Sequence, residues 1–85
     1  MEERKRILVI DDDKLVCSSL SNVSEALGYA STQANTLKEG LDALRSGPYD
    51  VVLLDVRMPD GSGIDILPEV CRNRGPPEVI VITAY

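Results

Sequence analysis

The sequence contains no histidine and only two cysteines among its 85 residues. Without histidine, the chain cannot build a His-dependent catalytic triad, and with only two cysteines as well it lacks the ligands for the usual zinc sites. The two cysteines, Cys17 and Cys71, stand far apart and form no Cys-x-x-Cys motif. Each is therefore expected to be a small buried hydrophobe rather than a metal ligand.

Long hydrophobic runs and an excess of positive charge are also missing. The longest apolar runs have four residues, too few for a membrane span or a signal peptide. With 9 basic residues against 14 acidic ones, the chain lacks a basic surface for nucleic acid. We therefore expect a cytoplasmic protein that contacts neither a membrane nor nucleic acid directly. Its length and its 44% apolar content predict one small globular domain.

Short apolar segments alternate with helical patterns along the chain. Strands are predicted at 7–10, 29–33, 49–54 and 78–83, the second being weaker and nearer an edge. Helical patterns fill the three intervals, and short connections join them. This order predicts an α/β fold: a doubly wound parallel sheet in three layers, with right-handed crossovers and helices on both faces.

The apolar positions of the helices indicate which faces should be buried. In the first helix one face carries Val16, Leu20, Val23 and Leu27. In the third helix, from residue 64 to about 73, the predicted inward residues are Ile64, Leu67 and Cys71. Pro68 should bend that helix or make it restart after a loose first turn.

Polar groups follow three of the predicted strands at the point where each strand ends. They are Asp11, Asp12 and Asp13 after the first strand, Asp55 after the third, and Thr83 in the fourth. Ligands of open α/β sheets bind at this edge, and clustered carboxylates there repel one another unless a cation lies between them. Because an all-oxygen site suits Mg²⁺, the sequence predicts a Mg²⁺-dependent phosphate site. Taken singly, Asp12 or Asp13 could instead cap the first helix, and Asp55 could be a solvated loop residue. Thr83 could be a strand residue whose hydroxyl bonds to the backbone.

Four motifs, in order, make the chain similar to the receiver domain of two-component response regulators. Residues 7–13 resemble the family's first strand and acidic pair, and residues 51–55 resemble the strand that ends in the phosphorylated aspartate. Met58, Pro59 and Gly63 keep the family's spacing after that aspartate, and residues 79–84 resemble its fourth strand. The resemblance implies a flavodoxin-like sheet with strand order 2-1-3-4.

The resemblance also implies roles for individual residues. Asp55 would be the phosphoacceptor, taking a phosphoryl group from a sensor histidine kinase. Mg²⁺ would be held by Asp12 directly, by Asp11 through water, by Asp55, and by the backbone carbonyl of Arg57. The Met58–Gly63 loop would turn the backbone so that this carbonyl faces the metal.

At the end of the fourth strand, the resemblance implies a switch. Thr83 would contact a phosphoryl oxygen, and Ala84, being small, would leave room for the phosphoryl group. Asp13 is expected to cap the first helix.

Residues 1–85 are expected to form a partial receiver domain, without the fifth strand and the last helix-strand-helix part. The family's catalytic lysine has no counterpart here, since Lys5, Lys14 and Lys38 lie on other elements. Residues 60–65 resemble receivers that precede transcriptional activators of the sigma-54-dependent class, and no output domain is expected within residues 1–85. We expect a signalling phosphoacceptor rather than an enzyme.

Three further expectations concern association and alternatives. The fourth strand would be an exposed apolar edge, which predicts self-association through that strand or through exchanged elements. One alternative is an interaction or dimerisation fragment that takes up no phosphate. A second alternative is a phosphatase resembling the haloacid dehalogenases, with Asp11 as nucleophile, although Lys14 replaces the glycine expected there.

Overall fold

A computed structural model of the chain describes residues 4–72 and 77–82. The first half consists of β1 (Arg6–Ile10), α1 (Lys14–Ala26), β2 (Ala30–Ala34) and α2 (Leu37–Ser46). The second half consists of β3 (Val51–Asp55), a hairpin of β4 (Arg57–Met58) and β5 (Gly61–Ser62), a 3-10 helix (Gly63–Ile66), α3 (Leu67–Val70) and β6 (Glu78–Ile82). No helix within these residues has the length and apolar character that a membrane span needs.

The four longer strands form one parallel sheet in the order β2-β1-β3-β6. Since β6 is the fourth long strand along the chain, the predicted order 2-1-3-4 and the α/β fold class are confirmed. Strand β2 lies at one edge, as predicted, and β6 lies at the other edge of the described sheet. The predicted switch residues Thr83 and Ala84 lie outside the described residues.

The apolar run at residues 7–10 of β1 is explained by burial on both faces of the sheet. Leu8 and Ile10 belong to the main core, together with Val52 and Leu54 of β3 and residues from α2 and α3. Val9 points to the opposite face, where its carbonyl accepts a weak hydrogen bond from the Cys17 thiol of α1 (3.6 Å). A strand covered in this way needs apolar side chains at successive positions.

The start of α1 is fixed by Asp13, as the sequence predicts. Its Oδ1 accepts hydrogen bonds from the amides of Leu15 (3.0 Å) and Val16 (3.2 Å), which satisfies two of the free N–H groups of the first turn. After the helix ends, Gly28 adopts the left-handed conformation with φ +97°.

The predicted buried face of α1 is wrong. Val23 and Leu27 are 58% and 73% exposed, whereas Cys17, Ser21 and Ser24 are buried. The helix turns its small side chains toward the sheet, which lets its backbone pack closely. Periodicity locates the most apolar stripe, and here three of its four residues are exposed while Leu20 is half-buried.

The third helical region is shorter and differently oriented than predicted. It begins as a 3-10 turn and restarts as α3 at Leu67, with Pro68 in the first turn, where a missing N–H costs no hydrogen bond. Of the three predicted inward residues, Leu67 is partly buried and packs against the core, whereas Ile64 and Cys71 are exposed. Ile66 and Val70 are buried instead. The restart agrees with the sequence prediction for Pro68, whereas the buried face is only partly the predicted one.

Candidate functional site

Three carboxylates meet at the carboxyl edge of the sheet. Asp11 and Asp12 follow β1, and Asp55 is the last residue of the neighbouring strand β3. One oxygen from each lies within 4.8 Å of the other two. Asp11 and Asp55 are only 5% and 8% exposed, while Asp12 is exposed to solvent. Of the polar groups that the sequence predicted to converge, the structure brings together Asp11, Asp12 and Asp55. Asp13 caps α1 instead, and Thr83 lies outside the described residues.

Asp11 is held from two sides. The amide of Asp13 donates a hydrogen bond to its Oδ1 (2.9 Å), and Asn35 Nδ2 donates to its backbone carbonyl (2.9 Å). Burial raises the pKa of Asp11, the nearby charges of Asp55 and Asp12 raise it further, and the Asp13 amide partly opposes this rise. Burial and mutual repulsion therefore disfavour the ionised form of the carboxylates. A cation among these oxygens would stabilise that form.

The loop after Asp55 folds back against the strand that carries it. The amide of Arg57 donates to Asp55 Oδ1 (3.2 Å), and the amide of Gly63 donates to the Val56 carbonyl (2.7 Å). A side chain at Gly63 would overlap the carbonyl oxygen of Asp55 and come within 3.0 Å of the Leu54 side chain. Glycine is required there because the two stretches of backbone approach so closely.

The other predicted loop residues shape the hairpin between β4 and β5. Met58 is buried in the main core, and Pro59 is exposed in the turn. Gly61 adopts φ +146°, a conformation that favours glycine. These residues set the position of the Arg57 backbone, which is two residues from Asp55.

A cavity of about 300 Å³ lies over the carboxylates. Arg57, Val16 and Ile82 contribute to its wall beside the acidic residues. Within residues 4–72 and 77–82, no lysine lines it. The site thus offers clustered carboxylate oxygens beside a space large enough for a phosphoryl group. The donor set fits Mg²⁺, which binds a few carboxylates and retains several waters.

Two polar residues support the site without having been predicted to do so. Asn35 bridges to the Asp11 carbonyl, and Asp60 accepts hydrogen bonds from the amides of Leu37 (2.9 Å) and Lys38 (3.1 Å) at the start of α2. Asn35 precedes a predicted helix, and Asp60 lies in a predicted turn, which explains their residue types locally. Neither position carries a sequence signal for a partner more than 20 residues away.

A comparison with known families decides what kind of domain this is. The family model described as "Response regulator receiver domain" matches residues 7–85. The chain belongs to this family. The resemblance inferred from the four motifs is confirmed, and the receiver interpretation is favoured over the phosphatase alternative.

The similarity extends to individual proteins. The chain is 32% identical over 81 residues to the acid tolerance regulatory protein ActR of Rhizobium meliloti, covering 95% of this chain and 42% of ActR. It is 37% identical over 79 residues to the transcriptional regulatory protein ZraR of Escherichia coli, covering 93% of this chain and 18% of ZraR. The chain thus spans less than half the length of either relative.

Solved structures show the same fold. The response regulator TrrA of Thermotoga maritima, in complex with Mg²⁺ and BeF, superimposes with a TM-score of 0.86 at 36% identity. The match covers 95% of this chain and 70% of the TrrA chain. The receiver fold of the described strands and helices is therefore shared with a protein whose structure contains Mg²⁺.

Proposed function

We propose that this receiver domain takes up a phosphoryl group on Asp55. The observation that carries the proposal is the position of this carboxylate. It is buried at the end of a central strand, yet it lines the cavity and lies within 4.8 Å of two further carboxylate oxygens. A solvated loop aspartate would not be expected in such a costly environment.

The proposed step is a transfer from the phosphohistidine of a sensor kinase. An oxygen of the Asp55 carboxylate attacks the phosphorus, and the bond between phosphorus and the imidazole nitrogen breaks. The electron pair of that bond stays on the nitrogen, which takes up a proton from water. The product on Asp55 is an acyl phosphate.

Asp11, Asp12, Asp55 and the Arg57 carbonyl are proposed to hold Mg²⁺, with Asp11 acting through water. When bound, Mg²⁺ would neutralise charge on the carboxylates and on the phosphoryl oxygens. The raised pKa of Asp11 is consistent with a cluster that needs such a cation. Roles for Thr83 as the phosphoryl contact and for Ala84 as its small neighbour rest on the family resemblance alone.

The test is phosphoryl uptake from acetyl phosphate, followed by intact-mass spectrometry. With Mg²⁺, the parent should gain one phosphoryl group and Asp55→Asn should gain none. Asp65→Asn is the matched control, because it removes the same charge from an exposed aspartate of the segment that follows and should behave like the parent. No gain in the parent would favour the alternative of a binding fragment that takes up no phosphate.

The proposed phosphorylation switches a downstream output domain, and the regulated process is transcription. Support comes from ZraR, a transcriptional regulatory protein, whose matched region is 18% of its length. We place residues 1–85 as part of a receiver domain, acting in the cytoplasm on a separate or attached output domain.

We also propose that the chain associates with a second copy through β6. Among the described residues, β6 pairs only with β3, so the N–H and C=O groups along its outer side are available to another strand. Ile80 on this strand is 53% exposed. An open apolar edge of this kind favours pairing with another chain, and two identical edges can pair around a two-fold axis.

Light scattering at micromolar concentration tests the association. The parent should exceed the mass of one chain, and Ile80→Lys, which places a charge on the edge, should return it to the mass of one chain. Ile64→Lys is the control, because Ile64 is equally exposed (55%) but lies on the 3-10 helix. A monomeric parent would contradict this proposal.

A further inference from the structure

Asp60 makes a long-range connection between the loop after Asp55 and the start of α2. Its two carboxylate oxygens accept hydrogen bonds from the amides of Leu37 (2.9 Å) and Lys38 (3.1 Å). The next amide, that of Glu39, is capped by the hydroxyl of Thr36 (3.0 Å). Side chains therefore satisfy the first three amides of α2, and Asp60 satisfies two of them.

This cap differs from an ordinary helix cap in where it comes from. An N-cap residue precedes its helix directly, and Thr36 does so here. Asp60 reaches α2 from 22 and 23 residues further along the chain. The same hydrogen bonds that satisfy the helix therefore also fix the hairpin relative to α2.

Helix α2, to which Asp60 is bonded, is itself packed against the core. Leu37, Gly40 and Leu44 of α2 are buried. The hairpin also lies close to the helix, since a Cβ added at Gly61 would come within 3.2 Å of Leu37 Cδ1. Asp60 thus joins an exposed two-residue turn to a helix that is packed against the core.

The other end of the hairpin leads to the proposed metal site. Arg57 pairs with Ser62, and Met58 pairs with Gly61, on either side of Pro59 and Asp60. The Arg57 amide donates to Asp55 Oδ1, so the strand β4 begins in contact with the phosphoacceptor. A shift of the turn would be passed along this short ladder to the Arg57 carbonyl.

We propose that Asp60 is a positioning residue for the Mg²⁺ site. By tying the hairpin to the first turn of α2, it holds the Arg57 carbonyl in place beside Asp11, Asp12 and Asp55. This inference rests on the proposed function, because it assigns the Arg57 carbonyl to the metal. Asp60 acts through the backbone and does not contact the ion.

The test compares Asp60→Ala, Asp60→Asn and the control Asp65→Asn by Mg²⁺ titration calorimetry. Loss of the connection in Asp60→Ala should weaken Mg²⁺ binding roughly 10-fold, the lower end of the effect of outer-shell partners. Asp60→Asn keeps one acceptor oxygen and should fall between Asp60→Ala and the parent. Asp65→Asn removes an equal charge and should bind as the parent does, which separates positioning from simple loss of negative charge.

Amide hydrogen exchange in the metal-free protein gives a second readout that does not depend on metal binding. The Gly63 amide, bonded to the Val56 carbonyl, reports on the loop. Its exchange should accelerate in Asp60→Ala and stay unchanged in Asp65→Asn. Faster exchange confined to the α2 amides, with unchanged Mg²⁺ affinity in both Asp60 variants, would show that Asp60 only caps α2. That result would overturn the positioning role.

The two proposals fail in different ways. If the parent takes up no phosphoryl group on Asp55, the proposed function fails, while the exchange of the Gly63 amide still reports whether Asp60 positions the loop. If the parent is phosphorylated but Asp60→Ala matches Asp65→Asn in both readouts, only the positioning role is overturned.

Discussion

Replacing Gly63 by alanine tests the closest backbone contact of the site. The added methyl would overlap the Asp55 carbonyl oxygen, a backbone atom that cannot rotate away. Overpacking of this kind costs about 1–3 kcal/mol. For a domain of this size each kcal/mol lowers Tm by about 4–8 °C, so a cost of 2 kcal/mol predicts a fall of roughly 8–16 °C.

The assay is thermal unfolding followed by circular dichroism, with Gly47→Ala as the control. Gly47 has an extended backbone, and a methyl there meets only the end of the Arg6 side chain (3.0 Å), which can move. That variant should stay within a few degrees of the parent. Because Gly63→Ala must displace Asp55, it should also slow phosphoryl uptake. A Tm and an uptake rate equal to those of the parent would refute the reasoning.

Substitutions at three further positions test acidic residues at the site and at the two ends of α1. Asp13→Ala removes the cap of α1 and should cost about 1 kcal/mol in urea unfolding, whereas Asp13→Asn should stay near the parent. Asp11→Asn should raise Tm at pH 7 without Mg²⁺, because the pKa of Asp11 is raised and its ionised form opposes folding. That gain should disappear as the pH falls below the ordinary aspartate pKa of about 3.9, and an unchanged Tm at pH 7 would contradict it. The amide of Ser31, then Arg4 and the Ser31 hydroxyl, lower the pKa of Glu25, so its stabilisation is present above pH about 4.3 and is lost as the pH falls through the lowered pKa. Glu25→Gln should therefore lower Tm at pH 7 and converge with the parent in acid, and parallel pH curves would argue against this origin.

The strands were predictable because their signal is local. An apolar, β-branched run such as 7–10 has few alternatives to a strand covered on both faces. The buried faces of the helices were less predictable, since they depend on what packs against them. In α1 the buried positions are Cys17, Ser21 and Ser24, whose small size matters only once the sheet is in place.

In the candidate site, too, the residues with a local sequence signal were predictable and those with long-range partners were not. Asp11, Asp12 and Asp55 were predicted to meet because each follows a strand, and parallel strands end at one edge. Asn35 and Asp60 were missed because their hydrogen bonds join parts of the chain that only the folded sheet brings together. The roles of Thr83 and Ala84 stay predictions.

The most direct test of the central claim is to locate the acyl phosphate on the chain. The protein is treated with acetyl phosphate and Mg²⁺, reduced with borohydride, which converts an aspartyl phosphate to homoserine, and mapped by peptide mass spectrometry. The account predicts homoserine at position 55. Homoserine at position 11 would contradict it and would return the phosphatase-like use of Asp11 to first place.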